Sequence, residues 1–256
     1  MSPKFLLASA GLMAALSAHA TVSVTGPSFT YSQNFDSLPA SGSVTFVNDS
    51  TLPGWSLYRS NGTALTVTAG NGSNNGGGFY SFGTGTSSDR ALGSVASSST
   101  GTMNYALALT NNSGAALAGF TLLYDGEQWR NGGNTNVQSL TFDYGFGSSY
   151  STVAWQSAGA GFNFNSLVNT ATAGTVDGSS VGKTANIGGT VTTGWAAGQT
   201  LWVRWTDIDD VGADHGLAID NVRFNAVAAA VPEPSTYAML LAGIGAIGFI
   251  ARRRRS

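Results

Sequence analysis

An acidic stretch near the C-terminal end of the chain contains the residue types of a divalent-cation site. Between residues 207 and 216, four carboxylates lie close together around Gly212, which permits a sharp bend. Ca²⁺ prefers carboxylate and carbonyl oxygens as ligands, and one loop can supply several of them. We therefore predict Ca²⁺ as a cofactor, held by Asp207, Asp209, Asp210 and Asp214.

The same stretch also has a purely structural interpretation. Asp side chains commonly accept hydrogen bonds from backbone N–H groups and stabilise turns. The EF-hand pattern is not met, because the residue eleven positions after Asp207 is Ala218 rather than a glutamate. Arg204 and Arg223 could balance the carboxylates in place of a cation. The sequence leaves both interpretations open.

His215 is the only histidine that follows the first twenty residues, so any histidine-dependent catalysis would have to use it. One hypothesis is a secreted hydrolase that uses His215 with nearby carboxylates. No nucleophile elbow for an activated serine is evident in the sequence, and no pair of glycosidase carboxylates is marked. We therefore expect a structural histidine in a turn, and a protein that is not an enzyme.

A second candidate site combines an aromatic ring with planar hydrogen-bonding groups. An indole can stack on the C–H faces of a sugar while amides and charged groups bind its hydroxyls. The segment around Trp129 has this composition and is followed by glycines. The alternative is that Trp129 packs in the core. The predicted carbohydrate-binding residues are Glu127, Gln128, Trp129, Arg130, Asn131 and Asn134.

The elements that must position these sites are predicted to be strands. Apolar residues alternate with polar or small ones over residues 103–109, 118–124, 140–146 and 201–205, and turn-rich segments separate these runs. The apolar parity changes within residues 217–224, which indicates a β-bulge or a strand that changes sheets. No amphipathic helix is evident. The pattern predicts an all-β fold, a single two-sheet antiparallel β-sandwich that is jelly-roll-like.

Composition narrows the function further. Only 9% of the residues are charged, and cysteine is absent, which excludes thiol catalysis, disulfides and cysteine-based zinc sites. Residues 21–230 contain six basic and twelve acidic side chains, a net charge of −6. Nucleic acid is therefore not an expected partner.

The N-terminus has the features of a secretory signal peptide. Lys4 is followed by a mostly apolar run over residues 5–16, and residues 18–20 form a small-x-small cleavage site. We predict a signal peptide at residues 1–20, removed during export by the Sec machinery. The predicted β-sandwich domain then covers residues 21–230.

The C-terminus, residues 231–256, has three parts in a fixed order. A Pro-Glu-Pro motif precedes a fifteen-residue apolar run at 237–251, and four arginines follow. Fifteen residues of helix extend roughly 22 Å, less than the about 30 Å of a bilayer core, so we predict a short transmembrane helix with a transient role. The arginines would keep its end cytoplasmic. The motif residues are Pro232, Glu233, Pro234, Arg252, Arg253, Arg254 and Arg255.

This tail resembles the PEP-CTERM sorting signal of Gram-negative bacteria. The resemblance implies recognition by an exosortase, a membrane-embedded cysteine transpeptidase, after a transient stay in the inner membrane. It further implies export to the cell surface or the extracellular matrix, in organisms that produce exopolysaccharide and form biofilms.

The body resembles a concanavalin-like or jelly-roll domain of secreted bacterial proteins that has no assigned activity. Four segments carry that resemblance: Gly54–Arg59, Gly126–Gly133, Leu201–Asp207 and His215–Asn221. Three hypotheses follow. The first is a structural or adhesive role in exopolysaccharide or biofilm, the second is a carbohydrate-binding module, and the third is the hydrolase considered above.

Overall fold

The computed structural model describes residues 21–230 and 234–253. The predicted signal peptide, Pro232, Glu233, Arg254 and Arg255 lie outside the described residues.

The body is built from short and long β-strands joined by turns and two single 3₁₀ turns, Tyr150–Thr152 and Ala160–Phe162. The strands are β1 (Val22–Val24), β2 (Thr30–Gln33), β3 (Ser43–Thr45), β4 (Trp55–Arg59), β5 (Thr66–Gly70), β6 (Gly78–Phe82), β7 (Ala91–Val95), β8 (Met103–Asn111), β9 (Leu117–Asn131), β10 (Ser139–Phe146), β11 (Gln156–Ser157), β12 (Phe164–Asn165), β13 (Gly174–Thr175), β14 (Lys183–Trp195), β15 (Thr200–Asp207) and β16 (Gly216–Ala228).

These strands form two sheets. Sheet A has the order β1-β8-β15-β10-β11, with β4 beside β8 and β12 beside β10. Sheet B has the order β13-β9-β16-β7-β6-β5-β3, with β14 beside β9 and β2 beside β16. The pairs β1–β8 and β5–β6 are parallel and the other pairs are antiparallel. The predicted all-β, jelly-roll-like sandwich is confirmed, with these two parallel pairs as a difference from the fully antiparallel expectation.

The core between the sheets is strongly aromatic. Trp205 of β15 stacks on Trp55 of β4, with ring centroids 5.7 Å apart, and meets the edges of Tyr124 and Phe142. All four rings are fully buried. Tyr124, Phe142 and Trp205 occupy apolar positions of the alternating runs, so a period of two correctly identified the inner face.

The change of parity predicted near residue 220 is a β-bulge. The pairing of β16 with β9 shifts register between Asp220 and Arg223, and Asn221 adopts a left-handed backbone with φ of 48°. Asparagine tolerates this conformation better than most residues. Because of the shift, Ile219 and Val222 both face the core.

The tail forms one α-helix, α1 (Pro234–Arg253), over the segment for which a membrane crossing was predicted. Within the described residues, no helix has both the length and the apolar character needed to cross a membrane. The predicted transmembrane assignment of residues 237–251 therefore goes beyond what the structure supports.

Candidate functional site

Trp129, the centre of the predicted sugar-binding surface, is a packing residue. Its side chain is 2% exposed, and its ring stacks parallel to Phe82 at 6.0 Å on the outer face of sheet B. Gly178 lies on the ring so closely that a Cβ there would be 2.4 Å from the indole. Nε1 donates to Glu127 Oε2 at 2.9 Å. The prediction of an exposed stacking ring was therefore wrong, because a loop before β14 covers this face.

Two further residues of the predicted set hold loops in place. Gln128 accepts hydrogen bonds from the backbone N–H groups of residues 167 and 168 at 2.8 and 2.7 Å. Asn131 Nδ2 donates to the carbonyl oxygens of residues 170 and 172 at 3.0 and 2.8 Å. Both side chains are buried, so their polar atoms are satisfied within the protein rather than offered to a ligand.

His215 is held by hydrogen bonds within the protein. Its side chain is buried, Nδ1 accepts a hydrogen bond from the Gly132 N–H at 2.9 Å, and Nε2 lies 3.0 Å from Asn169 Oδ1. Burial lowers the pKa of His215, which favours the neutral ring. A neutral imidazole that accepts at Nδ1 carries its proton at Nε2 and donates it to Asn169. Both nitrogens are therefore engaged.

Residues 178–182 have the Gly-x-Ser-x-Gly spacing of a nucleophile elbow, with Ser180 at its centre. An elbow needs a strand before the serine and a helix after it. Here the segment is a turn, and strand β14 follows it. The spacing therefore does not mark a catalytic serine.

The four carboxylates proposed to bind calcium occupy different environments. Asp207 is buried and accepts a hydrogen bond from Ser94 Oγ, and burial raises its pKa well above the ordinary value. Asp214 Oδ1 accepts a hydrogen bond from the Asp210 N–H at 2.9 Å, as the structural interpretation expects. In the part of the chain that the structure describes, no three His, Asp or Glu side chains form a group that could hold a metal ion. The geometry does not assemble the predicted site, and calcium binding stays a prediction.

The two segments singled out from the sequence nevertheless meet. Asn134 Nδ2 donates to the carbonyl oxygens of Val211 and Ala213 at 2.9 and 3.3 Å, which ties the end of β9 to the acidic loop. Beside this contact is a pocket of about 310 Å³, here called the loop-end pocket. Its walls come from four segments of the chain: Asn75, residues 95–98, Arg130 with Gly132, and Asp209 with residues 212–214.

The loop-end pocket contains charges of both signs. Arg130 is 9% exposed, and its Nη1 donates to the carbonyl oxygens of Gly72 and Ser73 at 3.1 and 3.2 Å. Its Nε has no hydrogen-bond partner among the described residues. Burial, and then the nearby Asp209 and Asp210, raises the pKa of Asp214 to about 7. The pocket therefore combines a guanidinium with one exposed carboxylate and one carboxyl group that exchanges its proton near neutral pH.

A separate charged group, which no sequence motif indicated, lies on the outer face of sheet B. Lys183 Nζ is 2.8 Å from Asp125 Oδ2 and 3.5 Å from Glu127 Oε1. Asn221 Nδ2 joins Asp125 to Asp220, at 3.1 and 2.8 Å. These residues (Asp125, Glu127, Lys183, Asp220 and Asn221) are here called the Lys183 cluster. The parity change near residue 220 was its only sequence signal.

The carboxyl groups of the Lys183 cluster differ in the direction in which their pKa is shifted. Burial raises the pKa of Glu127 and of Asp220 to about 7 each. Burial also pushes the pKa of Asp125 upward, but Lys183 and the hydrogen bonds from Asn186 and Asn221 outweigh it, so the net shift is downward. Asp125 is thus the carboxylate that neutralises Lys183.

One comparison with known proteins supports the sorting signal predicted at the C-terminus. A model of the PEP-CTERM protein-sorting motif matches residues 230–255. No curated protein matches the chain. Among solved structures, the CBM22-1 xylan-binding domain of Xyn10C from Paenibacillus barcinonensis aligns over 81% of this chain and 100% of that domain, with 9% identity and a TM-score of 0.36. A likeness at this score says nothing about the ligand of this chain. The predicted sorting signal is confirmed: the chain ends in a PEP-CTERM motif, which indicates an exported protein that an exosortase processes.

Proposed function

We propose that the β-sandwich is a non-catalytic carbohydrate-binding domain of a surface or matrix protein, with an adhesive role in exopolysaccharide and biofilm. The domain would hold one sugar residue of the extracellular polymer in the loop-end pocket. The observation that carries this proposal is the convergence of Arg130, Asp209 and Asp214 in one pocket.

The size and chemistry of the pocket support a sugar. Ligand sites start near 300 Å³, and the about 310 Å³ available here suits a single monosaccharide unit. Sugar hydroxyls both donate and accept hydrogen bonds, so they need donors and acceptors on facing walls. Arg130 and Asn75 bring donors, while Asp209 and Asp214 bring acceptors.

A binding role is favoured over hydrolysis by His215 or Glu127 because both of these side chains are engaged in contacts within the protein. Both nitrogens of His215 have partners. Glu127, whose pKa is about 7, is 3% exposed and bonded to Trp129 and Lys183. These contacts support a rigid scaffold around the pocket.

Glycan binding by the purified mature protein tests the proposal. We expect Asp209→Ala to lower affinity for the polymer of the native host about tenfold or more, because it removes an exposed hydrogen-bond acceptor of the pocket. Asp89→Ala is the matched control, since Asp89 is also exposed but does not line the pocket. Equal affinity of the two variants, or measurable turnover of a glycan, would contradict the proposal.

The sorting motif has its own test in the native host. Replacing Pro232, Glu233 and Pro234 by alanine should leave protein that keeps its C-terminal arginines, because the processing enzyme no longer recognises it. Mass spectrometry of the C-terminal peptide distinguishes the two forms. Normal removal of the tail from the variant would show that these three residues are not the recognition element.

A further inference from the structure

The outer face of sheet A presents three aromatic rings that are only partly buried. Tyr58 of β4 stacks on Tyr150, with centroids 3.6 Å apart and planes 15° apart. Tyr150 also lies 5.2 Å from Trp155. Each ring is intermediate in exposure, unlike the fully buried rings of the core. Tyr58, Tyr150 and Trp155 are here called the sheet A patch.

The backbone beneath the patch explains why the rings are rigid. Strand β8 places two small side chains, Ala106 and Ala108, on this face, so the segment before β11 can pack closely over it. Tyr150 meets the edge of the buried Trp202, whose Nε1 donates to the Gly147 carbonyl at 3.1 Å. Rings already held in place lose little entropy when a ligand binds them.

The charged side chains beside the patch include one ion pair and one further carboxylate, Asp49; burial, together with this carboxylate, raises the pKa of Tyr58. Arg204 Nε and Nη2 both donate to Asp143 Oδ2 at 3.0 Å, so the Arg204 guanidinium is neutralised by a carboxylate. The guanidinium carbon lies 4.1 Å from the centre of the Trp155 ring, which orients the indole. On the neighbouring strands β8 and β15, the buried Thr206 hydroxyl donates a hydrogen bond of 2.8 Å to the Asn104 side chain. The surface thus offers aromatic rings whose neighbouring cation is already paired with a carboxylate.

We propose that the sheet A patch is a second glycan site, specific for uncharged polysaccharide. Trp155 and the stacked Tyr58–Tyr150 pair would contact the C–H faces of neighbouring sugars, a contact that needs no charge on the ligand. An acidic polymer would meet Asp143, which already occupies Arg204. The patch shares no residue with the loop-end pocket, so the inference does not depend on the function proposed for that pocket. Two sites on one domain would let a single molecule link two polymer chains.

The test compares an uncharged β-glucan with a polyuronate as probes for the purified mature protein. We expect the wild type to bind the β-glucan in preference to the polyuronate, with a change in tryptophan fluorescence. Trp155→Ala should weaken β-glucan binding roughly tenfold, and Trp155→Phe, which keeps a smaller ring, should weaken it less. Asp89→Ala, which alters neither the patch nor the pocket, should leave β-glucan binding unchanged. Failure of the pocket proposal is read separately, from the affinity of Asp209→Ala for the native polymer.

Asp143→Asn sharpens the test because it frees the Arg204 guanidinium without removing a ring. We expect this variant to gain polyuronate binding while β-glucan binding persists. Three results would overturn the inference: no binding of the β-glucan by the wild type, wild-type affinity in Trp155→Ala with an unaltered melting curve, or a wild-type preference for polyuronate. If Trp155→Ala does not fold, the Trp155→Phe and Asp143→Asn results decide.

Discussion

The Lys183 cluster and the loop-end pocket each gather carboxylates near one cation, yet the fold satisfies their charges differently. In the cluster, Lys183 contacts Asp125 and Glu127 directly, and Asn221 joins two of the carboxylates. In the pocket, Arg130 donates to backbone carbonyls of another loop, and Asp209 is exposed.

This difference separates two roles of charged side chains in the β-sandwich, which contains few of them. A charge paired with another protein side chain stabilises the contact between strands and has little capacity left for a ligand. A charge that is held by backbone groups, or left exposed, keeps that capacity. By this criterion we expect the Lys183 cluster to be structural, and the loop-end pocket stays the proposed binding site.

Removing the cation of the cluster should have the largest effect. We expect Lys183→Met to lower the free energy of unfolding by roughly 2–4 kcal/mol, because Asp125 would remain buried without its ion-pair partner. The loss should fall below that of a fully buried pair, since the Lys183 side chain is 26% exposed. Denaturant unfolding measures it. Arg223→Met, the loss of an exposed neighbouring cation, is the control and should cost far less. Equal losses would show that the cluster is not a stabilising unit.

Trp129 links the cluster to the aromatic packing on the same face. Trp129→Phe removes the hydrogen bond to Glu127 and leaves space beneath Gly178, so we expect a loss of about 1–3 kcal/mol. The matched control is Trp155→Phe, because Trp155 is only partly buried. If both variants lost the same stability, Trp129 would not be the packing residue that its burial indicates.

Asp214 should make stability depend on pH. Its pKa of about 7 in the folded protein lies above the ordinary value of 3.8, so the folded state holds a proton that the unfolded chain releases. Stability contributed by this group is therefore lost as pH rises from about 4 to about 7. Glu127 and Asp220 act in the same direction, whereas His215 acts in the opposite direction below about pH 6.5.

A variant isolates this contribution. Asp214→Asn stays neutral and keeps an oxygen for the Asp210 N–H, so its melting temperature should rise relative to wild type between pH 5 and pH 8. Thermal melts of both proteins at matched pH measure the difference. A difference that does not change with pH would mean that Asp214 does not titrate in this range.

The smallest effect on stability should come from the exposed side of the pocket. We expect Asp209→Ala to change the free energy of unfolding by no more than about 0.5 kcal/mol, as exposed substitutions usually do. The same substitution is expected to lower glycan affinity, so it should affect binding without affecting stability. A loss as large as that of Lys183→Met would remove the distinction between the two charged regions.

The sequence alone determined the features that depend on neighbouring residues. Alternation along 103–109 and 201–205 identified the strands and their inner faces, because successive side chains of a strand point to opposite sides. The sorting motif could also be predicted from the sequence, because its three parts are contiguous. The change of parity near residue 220 correctly indicated the bulge at Asn221.

Only the tertiary structure decided which polar and aromatic residues are free to bind. Trp129 is covered by Gly178, about fifty residues later in the chain, and no local pattern encodes that contact. The Lys183 cluster likewise brings together three strands, β9, β14 and β16, and the sheet A patch depends on a loop folding onto small side chains. The alternation of apolar and polar residues indicates which side of a strand each residue faces. What covers that side depends on distant segments, whose positions follow from packing of the whole chain.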